Sequence, residues 1–130
     1  MSIWTHVLGA VRIDALPIGP QTNWKEFFGK ECAYDAPNAV WSDYRDHSED
    51  YLPGGSEGTL KSILWTNPDP HHMAKYTLTI FGDLRDYDTP EEIIKWFKEK
   101  VAGVTFIRSA VITVELEGAK PLVWNYSDEE

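Results

Sequence analysis

A chain of 130 residues with 42% apolar and 13% aromatic side chains has the size and composition of one folded domain, and its makeup excludes wholesale disorder. A formal charge of −9, from 12 bases against 21 acids, argues against direct nucleic-acid binding and against anionic membranes, and leaves a basic protein surface, a metal ion or a small ligand as partner. The one cysteine, Cys32, excludes an internal disulfide, and with neither a signal-like start nor an apolar run of about 20 residues the expected location is the cytoplasm.

Residues 3–14 alternate as a strand, with Ile3, Thr5, Val7, Gly9, Val11 and Ile13 on one face. Trp4, His6, Leu8, Ala10, Arg12 and Asp14 lie on the other face. Pro17, Gly19 and Pro20 end it. Asn23 can cap a short helix over residues 24–30, with Trp24, Phe27 and Phe28 on one side. Residues 31–57 then follow no period. They carry seven acids against one base, Arg45, together with Tyr34, Trp41, Tyr44 and Tyr51. This reads as an irregular, acidic and aromatic insertion at about 31–58, closed by a glycine-rich loop at Gly54, Gly55, Ser56, Glu57 and Gly58.

Residues 59–66 form the second strand, with Leu60, Ser62 and Leu64 opposite Thr59, Lys61, Ile63 and Trp65. Asn67 to His72 turn the chain into a third strand, where Tyr76, Leu78, Ile80 and Gly82 alternate with Thr77, Thr79 and Phe81. Thr89 is the expected N-cap of a helix that begins at Pro90, and Glu92 completes a capping box. Ile93, Ile94, Phe97 and Val101 form its apolar stripe, and Gly103 stops it. Residues 106–116 make the last long strand. Glu117 and Gly118 turn it, residues 122–124 pair back at the edge, and residues 127–130 are an acidic tail.

The order β-α-β-β-α-β plus a C-terminal edge strand specifies one α+β domain over residues 1–126. Its expected form is the ferredoxin-like split βαβ, an antiparallel sheet with both helices on one face. A variant of that reading reduces residues 24–30 to one helical turn in a wrapping loop.

Four constellations could carry chemistry, and each has a plain structural reading. The loop at Gly54, Gly55 and Ser56 can aim backbone N–H groups at an anion, but it lacks the lysine of a phosphate-binding loop and is equally a turn. His71 and His72 beside Asp69 sit where an exposed turn is expected. Asp83, Asp86 and Asp88 could supply oxygen ligands to a divalent cation but lack the spacing of a calcium loop; Arg85 among them can pair with a carboxylate or meet a phosphate. Six tryptophans exceed the needs of a core this size. Trp4, Trp41 and Trp65 are therefore candidates to stack a planar ligand, whereas Trp96 reads as core. No nucleophile elbow is present, and neither His6 nor His72 begins a two-histidine phosphoesterase motif.

Residues 3–14, 53–60, 65–69 and 80–87 resemble segments of small proteins encoded by bacteriophages and prophages. The resemblance covers most of the chain outside Asp35 to Asp50 and carries no assigned chemistry. It implies a phage origin, and with it a host bacterial cytoplasm and a role against host defences. The expectation is a non-catalytic accessory protein that sequesters a small ligand, such as a nucleotide-derived immune signal, with no cofactor and no resident metal. Trp4, Trp41 and Trp65 would stack the base, and Arg12, Arg85, Gly54, Gly55 and Ser56 would meet phosphate or ribose oxygens. A homo-oligomer would let two chains share the site. Alternative readings are an acidic inhibitor or DNA mimic directed at a basic host protein surface, a metal-dependent hydrolase, and a minor virion component.

Overall fold

The computed structural model describes residues 3–14, 24–29, 58–69, 71, 73–104 and 106–129. Its five strands are β1 (Trp4–Asp14), β2 (Leu60–Thr66), β3 (Ala74–Arg85), β4 (Ile107–Leu116) and β5 (Leu122–Asn125). They form one sheet in the order β2-β3-β1-β4-β5, and every neighbouring pair is antiparallel. A single α-helix among the described residues, α1 (Pro90–Ala102), connects β3 to β4.

The ferredoxin-like expectation, with two helices, is therefore corrected. The residues expected to form the first helix make one 3-10 turn, Trp24–Glu26. Phe27 N–H donates to the Trp24 carbonyl at 3.1 Å and Gly29 N–H to that of Glu26 at 2.9 Å. Gly29 then leaves the helical region at φ 116°. The physical reason lies in length and composition. A helix nucleus fixes several residues for one hydrogen bond, and a segment this short, rich in aromatic residues, adds too few further bonds to offset that cost. The aromatic side chains contribute by packing instead. Phe28 is fully buried and stacks on Phe97 of α1 at 5.7 Å, and it lies 5.5 Å from Trp96. Trp24 extends the cluster to Tyr76 of β3.

Alternation decides which face of the sheet is covered. Val7, Val11 and Ile13 of β1, Leu78, Ile80 and Leu84 of β3, and Ile112 and Val114 of β4 point to the same side and are buried. Ile93, Phe97 and Val101 of α1 close over them. Each of these large side chains contributes about 1.5–3 kcal/mol through removal from water. Trp124 of β5 completes the core edge-on to Phe97. Ile94, expected in the helix stripe, is only half-buried, because the stripe runs through Pro90, Ile93, Phe97 and Val101.

Both helix ends depart from their expected chemistry. Thr89 is the N-cap, but its side chain makes no cap hydrogen bond. Its hydroxyl donates to the Glu92 carboxylate at 3.0 Å, and Tyr87 O–H donates to the same oxygen at 3.2 Å. Burial is the main cause that pushes the Tyr87 phenol up from its ordinary value. At the other end Gly103 sits at φ −84°, ψ 1°, a conformation open to any L-residue. Beyond β5, Tyr126–Glu129 form a 3-10 turn in which Ser127 N–H and O–H donate to Asn125 Oδ1.

Two glycine substitutions should therefore behave in opposite ways in chemical denaturation. Gly58 lies at φ 87°, and a Cβ there would strike the Asp83 carbonyl oxygen, so Gly58→Ala should destabilise strongly. At Gly103 the nearest atom to a Cβ is 3.8 Å away, so Gly103→Ala should be neutral or should stabilise by about 0.4–1 kcal/mol. Similar destabilisation by both would contradict this backbone assignment.

Candidate functional site on the open sheet face

The residues that alternate with the core form the second face of the sheet, which is open at Leu8, Arg12, Trp65 and Val123 and buried at Lys61, 6% exposed. Register places them in cross-strand rows. One row runs Trp65 (β2), Thr77 (β3), Arg12 (β1), Ser109 (β4). The next holds Ile63, Thr79, Ala10, Val111 and Asn125, and a third holds Lys61, Phe81, Leu8, Thr113 and Val123. A fourth holds Asp83, His6 and Glu115, and Arg85 pairs with Trp4 beyond it. Large apolar side chains in these rows face solvent: Leu8 is 66% exposed, Val123 64% and Trp65 53%. Ile63, Phe81 and Val111 beside them are half-buried. Apolar surface gathered on one face marks an interaction site more readily than scattered apolar residues do.

A charged clasp lies at the Trp4 end. Nδ1 of His6 donates to Asp83 Oδ1 at 2.5 Å, and Nε2 donates to Glu117 Oε2 at 2.9 Å. The second oxygen of Glu117 accepts the Trp4 backbone N–H at 3.0 Å, and Glu117 N–H donates to the Trp4 carbonyl at 3.1 Å. The imidazole thus ties β1, the end of β3 and the β4–β5 turn together. With carboxylates at both nitrogens the charged form is favoured. Its hydrogen bonds, first to Asp83 and then to Glu117, raise the His6 pKa, and the bond from His6 lowers that of Glu117. An imidazolium with both N–H groups donating has no free lone pair to act as a base.

The sequence candidates fall into three groups. Trp4 and Arg85 are cross-strand partners at one end of the open face. Arg12 and Trp65 share the row at the other end, separated only by Thr77. From Trp4 to Arg12 is eight residue steps, about 27 Å along an extended strand, so one copy does not bring the two pairs into one pocket. Trp41, Gly54, Gly55 and Ser56 lie outside the described residues, as do His72 and most of the 31–58 insertion. Arg85 Nε stands 3.7 Å from Asp86, whose backbone is left-handed at φ 57°. Arg12 makes no hydrogen bond or ion pair among the described residues.

The metal-site expectations gain no geometry. Among the described residues no group of three or more His, Cys, Asp and Glu side chains is arranged to hold a metal ion. His71 is exposed in its turn, and its backbone N–H donates to Asp69 Oδ1 at 2.9 Å. No helix among the described residues is long and apolar enough to cross a membrane.

Sequence reasoning missed the His6 clasp. Its members are 77 and 111 positions apart, and only strand register makes them neighbours. The available signal was that His6 lies on the polar side of β1.

Fold and site together define a five-stranded antiparallel sheet, covered on one face and carrying an aromatic, cationic and apolar surface on the other. No family model, curated protein or solved structure matches the chain.

The clasp has a signed pH dependence. The raised His6 pKa means that its stabilisation is complete below the ordinary value of 6.5 and is lost as pH rises through the folded pKa. The lowered Glu117 pKa gives stabilisation that is present above its ordinary 4.5 and lost as pH falls through the folded value. The clasp is thus strongest between those limits. Ring-proton NMR should show His6 titrating above 6.5, with Asp83→Asn lowering the midpoint more than Glu117→Gln. A midpoint at or below 6.5 in the parent protein would contradict the clasp.

Proposed function

We propose that this chain is a non-catalytic binding protein that sequesters a small anionic ligand with a planar ring, of the nucleotide class, on its open sheet face. The observation that carries this reading is the row Trp65, Thr77, Arg12, Ser109. It offers an exposed indole, two hydroxyl side chains and a guanidinium without a partner among the described residues, all on one face. Trp65 and Arg12 stand two strands apart, about 10 Å, a span that a ring, a sugar and a phosphate bridge. Indole stacking is tolerant of base identity, and the guanidinium supplies the charge-assisted contact to phosphate.

The net charge of −9 does not defeat this reading. At physiological ionic strength charges beyond about 8 Å are largely screened, so the local guanidinium outweighs the global field. The engagement of both His6 nitrogens supports binding without chemistry. Resemblance to phage-encoded proteins supports a host bacterial cytoplasm as the setting and a host nucleotide signal as the ligand.

Tryptophan fluorescence titrated with cyclic dinucleotides and cyclic ADP-ribose isomers tests the reading. One class should quench the emission and be recovered chemically unchanged. Trp65→Ala should remove most of the quench, and Arg12→Gln should weaken binding roughly ten- to hundredfold, as expected for a hydrogen bond to a charged group worth about 1.5–3 kcal/mol. Cleaved ligand on recovery would make the protein an enzyme. Absence of any quench would turn the reading to an acidic inhibitor that meets a basic protein surface.

A further inference from the structure

We infer, resting on the preceding reading of the Trp65, Thr77, Arg12, Ser109 row as a nucleotide site, that Asp14 sets the charge accepted beside Arg12, so that the ligand presents a single phosphodiester there and not a pyrophosphate. Alternation along β1 keeps Asp14 on the side of Arg12, with Ile13 fully buried between them on the other side. Two residue steps separate their backbones by about 7 Å. That is within the roughly 8 Å over which charges in physiological salt still act on one another.

The strand pairing is irregular here on both sides of β1. Against β4 it passes from Arg12 opposite Ser109 to Ile13 opposite Ile107, which leaves Arg108 as the extra residue. An extra residue of this kind re-aims its side chain, and Arg108 Nε donates to Asp14 Oδ1 at 2.7 Å. Against β3 the pairing passes from Ile13 opposite Tyr76 to Asp14 opposite Ala74, which leaves Lys75 as the extra residue. Lys75 Nζ donates to the Asn67 carbonyl at 2.7 Å, which holds it toward the end of β2 and away from Arg12.

The Asp14 carboxylate therefore cancels Arg108, and Arg12 alone supplies one positive charge to the phosphate position. Toward the middle of the face the next row holds Ile63, Thr79, Ala10 and Val111, none of them charged. Lys61, the cation beyond that row, is 6% exposed and already engaged. Arg85 stands at the far end of the face, opposite Trp4. A phosphodiester carries one negative charge, which the guanidinium of Arg12 matches with its planar donors. A pyrophosphate sets a second charge next to the first. That charge meets either the uncharged row or the Asp14 carboxylate, and giving up its water there is costly. A cyclic dinucleotide separates its two diesters by sugars and offers Arg12 one at a time. Cyclic ADP-ribose, a pyrophosphate, cannot. Asp14 is thus a specificity-determining residue that acts without touching the ligand.

Tryptophan quenching titrated with an adenine cyclic dinucleotide and with cyclic ADP-ribose tests the selection, and melting curves close to the parent's confirm that the variants are folded. The parent should bind the dinucleotide roughly tenfold more tightly. Asp14→Asn keeps an oxygen for Arg108 but leaves the Arg108 charge uncancelled. A unit charge at about 7 Å changes binding by about three- to tenfold for each ligand charge it faces, so this variant should reduce the preference by about that factor. Arg108→Gln should weaken both ligands and widen the preference, and the double variant Asp14→Asn, Arg108→Gln should return it to the parent's value. An ion pair that only held register would leave the ratio unmoved in all three. Equal or tighter binding of cyclic ADP-ribose by the parent, or a ratio that Asp14→Asn does not move, would overturn the inference while the nucleotide reading stands. Quench by neither ligand in the parent would overturn that reading and the inference with it.

Discussion

One-sided burial of the sheet governs the rest of this molecule. Antiparallel strands with period-two patterning supply an apolar row to each side, and among the described residues α1 and the Trp24–Phe28 segment pack on one of them. On the covered side Phe28, Phe97 and Trp124 form a continuous aromatic layer in which ring pairs 5.7 and 5.9 Å apart contribute beyond their buried area. On the other side the same strands present Leu8, Val123 and Trp65 to solvent. A sheet surface of this kind either stays wet at a cost in solubility or meets something.

Contacts at the corners of the open face hold its strands in register. At the Trp4 end the His6 clasp joins three chain segments, and the Thr5 hydroxyl on the covered side donates to the Tyr87 carbonyl at 2.6 Å to fix the exit of β3. At the Arg12 end β1 bulges against both neighbours, and Arg108 pairs with Asp14 at 2.7 Å across the irregularity. Being exposed, these ion pairs add little stability singly. Their effect is on register, because a slip of one residue would exchange the covered and open faces.

Much of this architecture was legible in the sequence. The two faces of β1 follow directly from alternation, and β2 and β5 lie within a residue or so of their expected bounds. Strand β3 runs further than its apolar alternation, since Asp83 and Arg85 continue the open face with charged side chains. The first helix failed because a helical spacing of Trp24, Phe27 and Phe28 is equally the spacing of one 3-10 turn, and the packing partner Phe97 is distant in sequence. In the site, residue type alone named Arg12, Trp65, Trp4 and Arg85, and alternation could place all four on one face. Their separation into two pairs needed register between strands. So did the Asp83–His6–Glu117 contact, which no local spacing encodes.

The central claim is that the open face, and not the helix side, is the working surface. Methyl and amide NMR spectra recorded while cyclic dinucleotides and cyclic ADP-ribose isomers are titrated in test it most directly, because successive residues of one strand report opposite faces. The account requires ligand-dependent shifts at Arg12, Thr77, Ser109 and the Trp65 indole, with Val7, Val11, Ile112 and Val114 unmoved. Shifts confined to α1 and the covered-face residues, or no shift at the open-face positions up to near-millimolar ligand, would contradict it.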